Sequence, residues 1–116
     1  MEESIKNLIE NNPVSLATIG EDGNPHCIVV AYVKVLGGKL LITDNYMNKT
    51  RSNIQNNPNV YLTVFDKDWQ GCGIKGVAEY HPEGEWHEKV KELTENKQEP
   101  CKGAILVEIT NIKKLI

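Results

Sequence analysis

The chain has 116 residues, 40% hydrophobic, 25% charged and 6% aromatic, and its 16 acidic against 13 basic groups leave a net charge of −3. That length fits one domain over residues 1–116, and the mildly acidic balance with scattered lysines excludes general nucleic-acid binding, which needs a basic stripe. The longest unbroken apolar run, Ile28 to Val33, is far short of the roughly 20 residues that cross a bilayer, which excludes a membrane span.

Glu2 and Glu3 follow Met1 where a secretion signal would carry basic and then apolar residues, so a cytoplasmic protein is expected. The three cysteines, Cys27, Cys72 and Cys101, include no CxxC pair and are read as reduced thiols. A domain of this size has little aromatic material to fill one core, which suggests that a partner surface or a ligand completes it.

Ser4 to Asn12 places Ile5, Leu8 and Ile9 at helical spacing before Pro13 and predicts a short amphipathic helix acting as a lid or cap. Val14 to Ile19 predicts a strand, and Glu21-Asp22-Gly23-Asn24-Pro25 a turn into a second strand from His26 to Leu36. Within that strand Ile28 to Val33 does not alternate with polar residues, so both of its faces are expected to be covered, as a closed barrel with an external contact would do. Gly37-Gly38 supplies two positive-φ positions for a tight turn into a third strand, Lys39 to Thr43.

A short helix is predicted over Asn48 to Asn56, with Asn48 as its N-cap and Asn56-Asn57-Pro58 as its stop. Strands follow at Asn59 to Asp66 and Cys72 to Tyr80, the latter loosened by Gly73 and Gly76. Trp86, Val90 and Leu93 form the apolar stripe of a helix from Glu85 to Lys97, and Lys102 to Ile112 is a last strand. Six mainly antiparallel strands with short peripheral helices, and no βαβ rhythm, close most naturally as a small barrel.

The segment Thr43 to Asn53 holds the strongest chemical signal. A strand end feeds a helix N-terminus, where free N–H groups and the helix dipole favour an anion. Lys49, the Thr50 hydroxyl and Arg51, the one arginine of the chain, cluster there. Cations oppose the positive end of a dipole unless an anion lies between, and a phosphate of about −1.5 to −2 charge reverses that penalty. The plainer reading is a solvated first turn, because no Gly-rich cradle accompanies it.

Taken in order, these pieces resemble the FMN-binding split-barrel family, which contains pyridoxamine 5′-phosphate oxidase and the small FMN-binding proteins. Val14 to Gly23 is similar to its opening strand and turn, and Tyr32 to Gly38 to its second hairpin. Met47 to Pro58 is similar to its phosphate-binding helix, and Gly73 to Glu79 to its fifth strand.

The resemblance implies a six-stranded antiparallel split barrel of Greek-key type. It implies an FMN phosphate held by Lys49 and Thr50, assisted by Arg51 or Ser52 near Asn48. The isoalloxazine would lie along Val29, Val30 and Ala31 and along Thr43, Asp44 and Asn45, with Tyr32, Tyr46 and Met47 beside it. Asp44 close to the ring would disfavour its anionic reduced form and Lys75 would favour it. A homodimer with the cofactor at the subunit interface and a redox partner are implied as well.

The chain departs from the family by lacking the Arg- and His-bearing C-terminal segment with which the oxidase grips its substrate, so that activity is not expected. Tyr46 stands where the family often has a smaller residue, placed to stack on the ring or to block it. A split barrel that carries a deazaflavin or haem without FMN chemistry is the alternative, and a purely structural interaction protein a further one.

Two other readings carry less. His26, Cys27, Cys72, His81, His87 and Cys101 have no metal-ligand spacing and are read as buried thiols and surface imidazoles. His26 and Cys27 are neighbours on a strand and point to opposite faces, which disfavours a Cys–His nucleophile.

Overall fold

A computed structural model describes residues 1–115. Seven strands form one antiparallel sheet: β1 Val14–Ile19, β2 Pro25–Val30, β3 Lys34–Leu36, β4 Lys39–Asp44, β5 Asn59–Phe65, β6 Gly71–His81 and β7 Gly103–Leu115. They run in the order β2-β1-β5-β6-β7-β4-β3. The helices are α1 Glu3–Asn11, α2 Asn48–Asn56 and α3 Glu85–Lys91, with a 3-10 turn at Thr94–Asn96. Among the described residues no helix is long and apolar enough to cross a membrane.

The count is seven rather than six because the expected strand His26–Leu36 is interrupted at Ala31, Tyr32 and Val33. The two halves, β2 and β3, are the two edges of the sheet, so one extended piece of chain joins edge to edge and curls the sheet into a split barrel. Strict alternation fills the interior: Val14 and Leu16, Val60, Leu62 and Val64, Cys72 and Ile74, and Leu40 and Ile42 all face one core. A bulge opposite Lys75/Gly76 lets β7 keep Ile105, Val107 and Ile109 on the core side, with Ile112 following beyond it. A Cβ on Gly76 would lie 2.5 Å from Val107 Cγ1 and 2.8 Å from the Glu108 carbonyl, so only glycine fits there.

Within the single chain, coverage of both faces falls on other strands. In the run Ile28–Val33, Val29 is 71% exposed and Ala31 is also exposed, so only one face of that stretch is buried in the chain. The strands covered on both faces are β4 and β7. Leu40, Ile42, Ile105 and Val107 look into the barrel, while Leu41, Ala104 and Leu106 pack outward under α3 with Val90, Trp86 and Leu93. The α3 helix stops at Lys91 rather than Lys97, yet it presents the apolar stripe expected of it.

Two contacts seat the other helices. α1 buries Ile9 and accepts the β3 edge N–H of Val35 on Glu10 Oε2 at 2.8 Å, so it caps the seam where the chain crosses between edges. α2 buries Ile54 and is pinned to β1 by a buried hydrogen bond from Asn53 Nδ2 to Thr18 Oγ1 at 3.0 Å. The Gly37-Gly38 turn uses one positive φ, at Gly37, rather than two.

Candidate functional site

The junction between β4 and α2 is organised by Asp44, which is fully buried. Its Oδ1 accepts the Met47 N–H at 2.8 Å and its Oδ2 accepts the Tyr80 hydroxyl at 2.5 Å, while its carbonyl accepts the Lys102 N–H at 2.7 Å. The aspartate therefore supplies the oxygen at the start of α2, and Asn48, expected as the N-cap, does not: the helix begins after Met47 without a side-chain cap bond. Burial and the Asp44 carboxylate push the Tyr80 phenol up to about 12, against an opposing pull from Arg51, whose guanidinium sits 5.8 Å from the ring centroid.

The next residue makes a second bridge. Asn45 Oδ1 accepts the Cys101 N–H at 3.0 Å, and Asn45 Nδ2 donates to Asn96 Oδ1 at 2.7 Å. A backbone N–H can only donate, so it fixes which way the Asn45 amide points, and that in turn fixes the Asn96 amide. The segment between α3 and β7 is thereby tied to the end of β4.

Between these elements lies a cavity of about 490 Å³. One wall is Ile28, Val29, Val30, Ala31 and Tyr32; the facing wall is Thr43, Asn45, Tyr46 and Met47. Glu95, Asn96 and Glu99 close a third side. The structure thus brings together eight of the residues expected to hold a cofactor, from two strands that are far apart in the sequence. The third side was missed, because a helix was expected through Lys97; the polar run before Pro100, with Gln98 and Cys101 at positive φ, is the signal of an irregular loop there.

The cavity mouth is acidic. Burial and the nearby Glu95 carboxylate raise the Tyr32 phenol, and Glu99 raises that of Tyr46. Lys102 Nζ lies 5.9 Å from the Tyr46 ring centroid. Tyr46 itself is 73% exposed and stands beside the cavity without filling it.

The remaining expected residues lie elsewhere. Asp44 is committed to Tyr80 and Met47 and does not line the cavity. Asn48 and Lys49 are exposed in the first turn of α2, Thr50 is buried, and Arg51 is half-buried against Tyr80. Successive helical residues are 100° apart, so these neighbours in sequence face different directions. Lys49 faces the β1–β2 turn, where Asn24 N–H groups chiefly hold the Asp22 carboxyl below its usual range and the lysine charge adds to the effect. Lys75 lies on the exposed side of β6 and is not in the cavity wall. Among the described residues no three His, Cys, Asp or Glu side chains gather as a metal site.

Comparison with known proteins places this architecture. The chain is 41% identical to an uncharacterized protein of Methanocaldococcus jannaschii over 98% of its length and 79% of that protein's. It is 32% identical to the pyridoxine/pyridoxamine 5′-phosphate oxidase of Leptospira interrogans over 55% of its length and only 30% of that enzyme's.

Among solved structures it superimposes on HupZ of Group A Streptococcus with a TM-score of 0.92 at 22% identity, covering 99% of this chain and 94% of that one. An FMN-binding protein of Syntrophomonas wolfei gives 0.80 at 18% identity over 98% and 85%, and an F420 reductase 0.76 at 24% over 97% and 98%. Those likenesses establish the fold. The family model described as pyridoxamine 5′-phosphate oxidase matches residues 1–114, and the chain belongs to that family of split-barrel proteins.

Proposed function

We propose that this chain is an FMN-binding flavoprotein, a flavin-dependent oxidoreductase or electron carrier acting as a cytoplasmic homodimer. The carrying observation is the cavity of about 490 Å³ in which eight residues expected beside an isoalloxazine come together, a volume within the usual range of cofactor and ligand sites. Its wall is apolar along Val29, Val30 and Ala31, and its far side carries polar groups at Thr43, Asn45 and Asn96, which suits a flat ring with one polar edge.

The bound flavin would supply the electron or hydride chemistry, and this chain would position and tune it. Val29 to Tyr32, with Thr43, Asn45, Tyr46 and Met47, would hold the ring. At the start of α2 the exposed Lys49 ammonium, the free first-turn N–H groups and the helix dipole favour the phosphate, with Arg51 adding positive potential from its place on Tyr80. Val29 and Tyr46, both largely exposed in the single chain beside the cavity, are the surface that a second subunit would cover. The acidic mouth formed by Glu95 and Glu99 disfavours a phosphorylated substrate, so pyridoxamine 5′-phosphate oxidation is not the proposed reaction.

Purified protein is expected to be yellow, and heating is expected to release a ligand with the mass of FMN. A colourless protein that leaves added FMN unbound overturns the reading. The likeness to an F420 reductase supports deazaflavin as the second reading, and exchange of the bound ligand followed by absorbance separates the two.

A further inference from the structure

Resting on the flavin reading above, we propose that Asn96 is a cofactor-binding residue: its amide Nδ2 donates a hydrogen bond to a carbonyl oxygen on the polar edge of the ring held in the cavity. Asn96 lines that cavity, and its Nδ2 is buried without a hydrogen-bond partner among the described residues. A buried unpaired amide donor is costly and is expected to find an acceptor.

The orientation of this donor follows from fixed groups. The Cys101 N–H occupies Asn45 Oδ1, so Asn45 offers its NH₂ to Asn96, and Asn96 must answer with its oxygen. Rotating the Asn96 amide would set two NH₂ groups against each other. The relay therefore leaves an Nδ2 donor, and not an acceptor, as the unpaired group of this cavity-lining residue. It also ties the Thr94–Glu99 segment to the ligand: an acceptor in the cavity completes the last open bond of a chain running from the backbone of Cys101 through Asn45. Neither the cation-bearing first turn of α2 nor the strand walls supply this contact.

The test compares wild type with Asn96→Asp and Asn96→Ala, using FMN and riboflavin as probes and quenching of flavin fluorescence as the readout. Asn96→Asp keeps an oxygen for the Asn45 NH₂ but replaces the donor with an acceptor and adds a negative charge, so the side-chain NH₂ resonance of the unsubstituted protein is the readout that separates the ligand contact from charge and packing. It is expected to weaken both FMN and riboflavin about tenfold or more and to make the midpoint potential of the bound flavin more negative, because a lost donor no longer stabilises the electron-rich ring and the added carboxylate opposes it. Asn96→Ala is expected to weaken both probes and to lower the melting temperature as well, since Asn45 then loses its acceptor. In ¹⁵N spectra of wild type, the Asn96 side-chain NH₂ pair is expected to shift as FMN saturates the site.

Saturable FMN binding with an unmoved Asn96 NH₂ pair, or Asn96→Asp with wild-type affinity and potential, overturns this contact and leaves the flavin reading standing. A wild-type protein that binds neither flavin overturns both.

Discussion

The cavity wall and the first turn of α2 are built on opposite principles. The wall draws on three segments brought together by the sheet order, and its residues, Ile28 to Tyr32, Thr43, Asn45 to Met47, Glu95, Asn96 and Glu99, face one space. The α2 turn is contiguous in sequence, yet Lys49, Thr50 and Arg51 diverge into solvent, core and the Tyr80 ring. A helix separates its neighbours, whereas a curled sheet gathers strangers. The two regions are joined by Asp44, which ends the wall's strand and accepts the N–H at the start of the helix.

Breaking that joint should have the largest effect. Asp44→Ala leaves the Tyr80 hydroxyl and the Met47 N–H without their buried acceptor, and a loss of about 2–4 kcal/mol is expected in chemical denaturation. A variant of wild-type stability would mean that the two regions hold their positions independently.

Lys49→Ala probes the helix turn alone. It should weaken FMN at least about tenfold while riboflavin changes little, because only FMN carries the phosphate that a charge-assisted bond would hold. Equal losses for both would move the phosphate away from this turn.

Val29→Lys probes the wall alone, placing a charge on a side chain that is 71% exposed at the cavity. The expected result is a monomer by light scattering with flavin affinity reduced for FMN and riboflavin alike. An unchanged dimer would put the subunit interface on another face.

The smallest effect is in pH dependence. Tyr80 is held protonated to about 12 in the folded chain against an ordinary value of 10.0, so its contribution to stability is complete below about pH 10 and is lost as pH rises towards 12. In an ultraviolet titration the last phenol to ionise should be the one that disappears in Tyr80→Phe. Were every phenol ionised by the ordinary range, the Asp44–Tyr80 contact would not form in solution.

Much of the architecture was legible in the sequence because it rests on local periodicity. Val14-Leu16, Val60-Leu62-Val64 and Trp86-Val90-Leu93 reveal their elements and buried faces by spacing alone, and the Asn56-Asn57-Pro58 stop ends α2 where expected. The interruption at Ala31–Val33 was not legible, because an apolar run reads the same whether it continues as one strand or crosses between two sheet edges. Asn48 was favoured as a cap by residue type, but Asp44, from the preceding strand, holds the N–H of Met47, the residue just before the helix.

By itself the amino-acid sequence determined the order of strands and helices, apart from the break at Ala31–Val33, and the family resemblance, since these depend on side-chain pattern and order; the residues expected along the ring came with that resemblance. Tertiary structure decided which apolar strands are covered on both faces: α3 folds over β4 and β7, while the more continuously apolar β2 keeps one face exposed in the chain. It also decided which polar groups meet at the cavity. Asn45, Asn96 and Cys101 are bonded in one relay although 51 and 56 residues separate the first from the other two, and only the closing of the sheet, with α3 and the turn after it folded against its end, brings them within hydrogen-bond range.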